Sequence, residues 1–167
     1  MSIKLNKLIV DEVTNVTENN SVVNMNPKRM EELDLSNGDV IKIRGRRRKD
    51  TICIVFPLDE CEENCIIINK MVRKNIKIKL GDQVYISKKE EVPYCKQVVI
   101  LPFKDSLNGV SGDLKEIYLN PYFQDSFRPI RRGDHFIVYN AFHPVEFKIV
   151  KMEAEYALVT PDTNIIC

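Results

Sequence analysis

The sequence predicts a mainly β protein of mixed α+β type in two lobes, the first closing as a barrel. Three observations carry this reading. Seven short segments are β-branched or aromatic and partly alternating: SVVNM (21–25), DVIKIRG (39–45), TICIVF (51–56), QVYIS (83–87), QVVIL (97–101), HFIVYN (135–140) and VEFKIV (145–150). A stretch of the first lobe, LDLSNGDVIKI (33–43), recurs as IKIKLGDQVYI (76–86), offset by 43 residues. Between them and the rest, KKEEVPYCKQ (88–97) is polar, contains Pro93 and has no strand pattern, so it divides the chain. The division is a barrel lobe over 1–90, a linker over 91–96 and a second lobe over 97–167.

The first helix is predicted over NPKRMEELDL (26–35), because Asn26 suits an N-cap, Pro27 the first helical position, and Met30 and Leu33 share a face. NKMVRKNI (69–76) is a second, weaker helical segment. VIKIR and TICIVF flank IRGRRRKD (43–50) and read as a hairpin, with the basic residues 46–49 at a solvated tip that also guards a sheet edge. In each copy of the repeat a helical segment precedes a Gly-Asp turn and a strand follows it. Glycine permits positive φ there, and the aspartate can accept amide hydrogen bonds. Two such half-units, neither able to bury its own face, close one barrel by pairing. A third Gly-Asp, in IRRGDHFIV (130–138), reuses the turn.

At 167 residues and 44% apolar content the chain can bury one sizeable core or two small ones. Lys plus Arg number 25 and Asp plus Glu 24, for a formal charge of +1. A dedicated nucleic-acid binder needs a clear basic excess to neutralise phosphates, so the balance argues against that class. Nothing approaches the ~18–20 apolar residues of a membrane span, and no signal peptide is evident, so a cytoplasmic protein is expected. Cys53, Cys61, Cys65, Cys95 and Cys167 are odd in number and fit a reducing compartment. Cys61 and Cys65 have a C-x3-C spacing, but no second Cys/His pair follows; His135 and His143 lie far off. No metal site is expected, and Asn15 and Asn19 head sequons that lack a secretory route.

No phosphate loop, dinucleotide fingerprint, nucleophile elbow or H-E-x-x-H motif is present. Asp39, Asp82 and Asp134 follow glycine at turns, where a structural role is the stronger reading than an acid–base one. No catalytic residue is expected.

Several segments together carry a resemblance: LIVDE (8–12), NSVV (20–23), GDVIKIRGRRRKDTICIV (38–55), INKMVRKNIKIKLGD (68–82), GDLKEIYLNPYF (112–123), FRPIRRGDHFIV (127–138), VEFKIV (145–150) and TPDTNIIC (160–167). They closely resemble the N-terminal domain of the valosin-containing protein family, the transitional endoplasmic reticulum ATPases of the AAA+ class. The resemblance implies a double-psi β-barrel followed by a smaller β-barrel lobe, with two ATPase modules beyond Cys167. It implies no cofactor for this domain, ATP and Mg being bound by those modules, and a monomeric fragment of a homohexameric parent.

What it implies for function is an adaptor- and substrate-recruiting domain of a machine that extracts and unfolds ubiquitylated proteins. The settings are endoplasmic-reticulum-associated degradation, proteasomal delivery and membrane fusion, with nuclear and endoplasmic-reticulum association through partners. Those partners are UBX-domain adaptors, the heterodimer that delivers ubiquitylated clients, and proteins with Arg-rich helical motifs. By position, the resemblance assigns Asn19, Asn20, Val22, Ile54, Phe56, Tyr94, Ser126 and Phe127 to an adaptor cleft between lobes. It assigns Lys77, Lys79, Tyr139 and His143 to the ATPase-module interface. Phe127 stands where the family has tyrosine, Asn19 where it has an acid, Ser36 where it has an aromatic, and Tyr139 and His143 where it has arginines.

From the residues alone, Val22 and Ile54 read as ordinary barrel core. Tyr94, an aromatic in a polar linker, is poorly explained by packing and fits an interface hot spot. Two other classes stay open: a nucleic-acid module using residues 44–49 with MVRKNIKIK (71–79), and a double-psi-barrel enzyme.

Overall fold

The computed structural model describes residues 5–13, 19–124, 127–139 and 143–167. The chain divides into two compact units, Met1–Glu91 and Val92–Cys167. No helix among the described residues is long and apolar enough to cross a membrane.

The first unit is a closed six-stranded barrel with the fold of a double-psi barrel. Its strands are β1 (Lys7–Asp11), β2 (Val22–Met25), β3 (Val40–Arg44), β4 (Asp50–Pro57), β5 (Cys65–Ile67) and β6 (Gln83–Lys88), joined around the barrel in the order β1-β5-β2-β4-β3-β6. The pairs β1–β5 and β2–β4 are parallel, and the other four are antiparallel. Alternation sends Ile41 and Ile43 of β3, Val23 and Met25 of β2, and Val84 and Ile86 of β6 into the core. Helices α1 (Pro27–Glu32) and α2 (Lys70–Ile76) close it with Met30, Val72 and Ile76.

The repeat is visible in three dimensions. Helix, turn and strand of one copy superpose in sequence on the other, and even the caps match: the Asn26 side chain accepts from the Lys28 amide at 2.8 Å and that of Asn69 from the Val72 amide at 3.0 Å. Gly38 and Gly81 sit at φ 91° and 90°. The Asp39 carboxylate accepts the Ser36 amide at 2.8 Å, and that of Asp82 accepts the Lys79 amide at 2.9 Å. Gly38 N–H donates to Val55 O while Val55 N–H donates to Asp39 O; Gly81 and Asp82 make the same exchange with Val10. Gly133 and Asp134 repeat it with Ile149 in the second unit, so the third Gly-Asp is the same device reused.

Two expectations are corrected here. Helix α1 ends at Glu32 instead of 35, because Asp34 turns into the left-handed region at φ 58° and sends Leu35 back to donate its amide to Met30 O at 2.8 Å. The hairpin is real, with Arg44 opposite Asp50 and Gly45 N–H donating to Lys49 O. Its tip guards no edge, however, since β3 and β4 are each paired on both sides.

The second unit holds a four-stranded sheet of β7 (Gln97–Pro102), β9 (His135–Val138), β10 (Val145–Met152) and β12 (Asn164–Ile166), in the order β12-β7-β10-β9. A two-stranded sheet pairs β8 (Arg128–Arg131) with β11 (Tyr156–Val159). Together they form the smaller barrel-like lobe. The π-helical turn Lys115–Leu119 runs into α3 (Asn120–Phe123) and delivers Tyr118, Leu119 and Phe123 to the core. Phe136 stacks on Phe147 at 5.5 Å and on Tyr122 at 5.1 Å, and the Tyr118 hydroxyl donates to His143 O at 2.9 Å. Burying that ring is therefore compatible with its polar atom. Strands β1, β5, β8, β11 and β12 and the turn 115–123 were absent from the predicted elements.

Candidate functional site

In the first unit, β2 and β4 run parallel with Val22 opposite Ile54 and Asn24 opposite Phe56. The pleat sends Val23 and Val55 inward and leaves Val22 and Ile54 half-buried and Phe56 37% exposed on the outer face. Reading Val22 and Ile54 as barrel core is thus corrected: they face outward beside an exposed ring. The approach to β2 is fixed by Asn19, whose side chain accepts the Ser21 amide at 2.9 Å while its carbonyl accepts from the Asn69 side chain at 2.7 Å. Its amide oxygen already holds a local turn. Half-buried Asn20 follows it.

In the second unit, Tyr94 and Phe127 lie edge to face with ring centroids 5.9 Å apart. They are 69% and 51% exposed, so neither ring is part of a core. Residues 93–95 are hydrogen-bonded into this unit: Cys95 N–H donates to Leu158 O at 2.7 Å and Leu158 N–H to Pro93 O at 2.8 Å. That bridge holds the Tyr94 backbone in place, so its exposed ring is presented on hydrogen-bonded backbone. Beside it opens a recess of about 740 Å³, walled by Tyr94, Val99, Met152 and Ala157, with Lys96, Lys151 and Glu153 at the polar positions. A bulge in β10 between Ile149 and Lys151 turns the strand there. Those lining residues were missed from sequence, because a bulge and the ends of paired strands leave no periodic signal. Ser126 lies outside the described residues.

The residues assigned to an ATPase module fall into two groups, one per unit. Lys77 caps the C-terminus of α2 in the left-handed region at φ 57°, and exposed Lys79 follows it. Both line a cavity of about 250 Å³ with Arg46 and Arg47 of the hairpin tip. Tyr139 is 64% exposed, and the carbonyl of half-buried His143 accepts the Tyr118 hydroxyl at 2.9 Å.

The cysteines are free thiols, four buried and Cys167 exposed. Burial, reinforced by the neighbouring Cys65, pushes the Cys61 thiol up to about 12, and burial also raises Cys65 and Cys95. Thiols held protonated in this way are poor nucleophiles and poor ligands. Among the described residues no three His, Cys, Asp or Glu side chains converge as a metal set. Asp39 and Asp82 are spent on their turns; the outward apolar face of β2–β4, the Tyr94–Phe127 pair and the basic cavity are the surface features that hold residues assigned from sequence.

The sequence profile of a family described as Cell division protein 48 (CDC48), N-terminal domain, matches residues 7–92, just over half of the chain and nearly the whole of the first unit.

Proposed function

This chain belongs to the family of CDC48 N-terminal domains, non-catalytic domains of AAA+ ATPases that mediate protein–protein interactions, and from that membership we propose that it recruits adaptors and their ubiquitylated clients. The adaptors are UBX domains, the ubiquitin-client delivery heterodimer and Arg-rich helical motifs. Their contacts are assigned to Asn20, Val22, Ile54 and Phe56 of the first unit and to Tyr94 and Phe127 of the second, with Asn19 and Ser126 alongside. Lys77, Lys79, Tyr139 and His143 are assigned to the ATPase modules of a homohexameric parent, which would bind ATP and Mg. Degradation from the endoplasmic reticulum, proteasomal delivery and membrane fusion are the processes such a parent would serve.

The observation that carries the proposal is the exposed Tyr94–Phe127 pair beside its recess. Rings still 69% and 51% exposed forgo roughly half or more of the about 1.5–3 kcal/mol that full burial of a large apolar side chain is worth, which a partner can recover. An arginine laid on the Tyr94 ring would add cation–π attraction. Truncating Tyr94 to alanine should weaken a UBX domain or an Arg-rich helical peptide by about 1–3 kcal/mol, roughly 5- to 150-fold. The ring is mostly solvent-exposed, so the melting temperature should stay near wild type. Phe127→Tyr restores a hydroxyl at the rim and should hold or tighten binding. Calorimetric titration of both variants decides the matter; unchanged affinity for Tyr94→Ala in a folded chain would end this reading.

A further inference from the structure

Two basic segments 30 residues apart in sequence, the hairpin tip and the turn after α2, meet in one cavity of about 250 Å³. Arg46 and Arg47 enter from the tip, Lys77 and Lys79 from the turn, and Asp82 is its one carboxylate. That carboxylate is already occupied by the Lys79 amide at 2.9 Å. None of the four cations has an ion-pair partner among the described residues, although the whole chain carries only +1. Four like charges around one concavity repel each other unless an anion joins them.

The fold does not require these charges. By the 43-residue repeat, Lys77 and Lys79 correspond to Asp34 and Ser36, which build the same turn with an acid and a hydroxyl. The left-handed cap at Lys77, φ 57°, is a place where glycine costs least. The close approach, in contrast, is built in. A Cβ on Gly45 would lie 2.7 Å from Ile78 Cγ2 and 3.5 Å from Ile76 O, so the missing side chain is what lets the tip reach the turn.

We propose that this cavity is a phosphoryl-anion site that takes the phosphate monoester of a phosphorylated protein segment. A phosphomonoester carries about −1.5 to −2 charge and three acceptor oxygens, enough to engage two guanidinium forks and two ammonium groups at once; a single carboxylate would leave most of them unmatched. No aromatic lines the cavity, so a nucleic acid would find no stacking platform. Leu80 is 47% exposed nearby, yet one leucine is not the apolar face a membrane-surface element needs. None of these residues is among those assigned to adaptors. The cavity shares Lys77 and Lys79 with the assignment to the ATPase modules and adds Arg46 and Arg47, so a module seated on those lysines and a phosphorylated segment would exclude each other.

The test uses the whole chain at physiological salt. The probes are a phosphoserine peptide, its unphosphorylated twin, inorganic pyrophosphate, and phosphatidylcholine vesicles doped with an inositol-phosphate lipid. Amide shifts by NMR should localise the phosphopeptide and pyrophosphate to Gly45, Arg46, Arg47 and the 77–82 turn, with the unphosphorylated peptide at least tenfold weaker. Replacing Lys77 and Lys79 by alanine should weaken binding at least fivefold, while Lys70→Ala with Lys74→Ala, which removes the same charge from α2, should change it less than twofold. Equal losses in the two double variants would reduce the site to general charge attraction and overturn the proposal. So would binding to the vesicles without binding to the phosphopeptide.

Discussion

Among the described residues the first unit fills its interior with Leu, Ile, Val, Met and Cys and no aromatic ring, whereas the second buries Tyr118, Phe123, Phe136 and Phe147 in one cluster of contacting rings. The difference follows from how each unit closes. A six-stranded ladder joined to itself leaves a narrow bore, and branched aliphatic side chains from alternate positions fill it. Among the described residues no strand-to-strand ladder joins the second unit's four-stranded and two-stranded sheets; a single bridge, Tyr94 to Leu158, links them, and large side chains fill the space between.

The strongest way to break this comparison is to remove a ring. Phe147 is fully buried and contacts both Phe136 and Tyr118. Phe147→Ala should cost about 3–5 kcal/mol, all of it from the second unit. Urea unfolding followed by hydrogen exchange should show second-unit amides losing protection while those of Ile41, Ile43 and Val84 keep theirs. Protection falling equally in both units would mean that they unfold as one and that the contrast has no energetic content.

A smaller effect probes the barrel side. Gly45 is pressed against Ile78, so Gly45→Val should cost about 1–3 kcal/mol by overpacking. Trimming Ile78 to alanine in the same chain makes room. A double-mutant cycle by denaturant melts should therefore give a coupling of at least about 0.5 kcal/mol, the double variant being less destabilised than the sum of the single ones. Simple additivity would show that the contact is not what limits the substitution.

The contrast between the units also explains what could be read from the sequence. The barrel half was legible because a repeated unit shows twice: the Gly-Asp turns, the helices before them and the strands after them each appear at a 43-residue spacing. Strand β5 escaped because it is three residues long, and β1 because Leu8, Ile9 and Val10 form an unbroken apolar run; both draw their pairing from distant partners, as Ile9 does opposite Cys65. In the second unit β8 begins Arg-Pro and β11, Tyr-Ala-Leu-Val, carries no polar residue, so neither alternates polar with apolar. The aromatic cluster at 122–127 stood out by composition, but nothing local says that Phe123 goes inward at 2% exposure and Phe127 outward at 51%. For Val22 and Ile54, strand residues alike in type to their buried neighbours, only the phase of the pleat decides the face, and one position of register reverses it.

The smallest expected effect falls on the two symmetry-related aspartates, and there the barrel can be compared with itself. Asp39 and Asp82 each accept one backbone amide across a Gly-Asp turn, at 2.8 and 2.9 Å. Replacing either with alanine should cost about 0.5–1.5 kcal/mol, the net worth of a hydrogen bond whose donor can turn to water. Asp39 also lies 3.5 Å from Lys88, an exposed pair worth at most about 1 kcal/mol, so Asp39→Ala should be the costlier of the two. The Asp82 substitution has a second consequence, because it deletes the single carboxylate from the basic cavity. It should therefore weaken folding slightly and tighten phosphopeptide binding, whereas Asp39→Ala weakens folding alone. Denaturant melts and peptide titrations on the same two proteins separate these effects. If Asp82→Ala lowered anion affinity with the fold intact, its carboxylate would be positioning the cations, and the repulsion assigned to it here would be wrong.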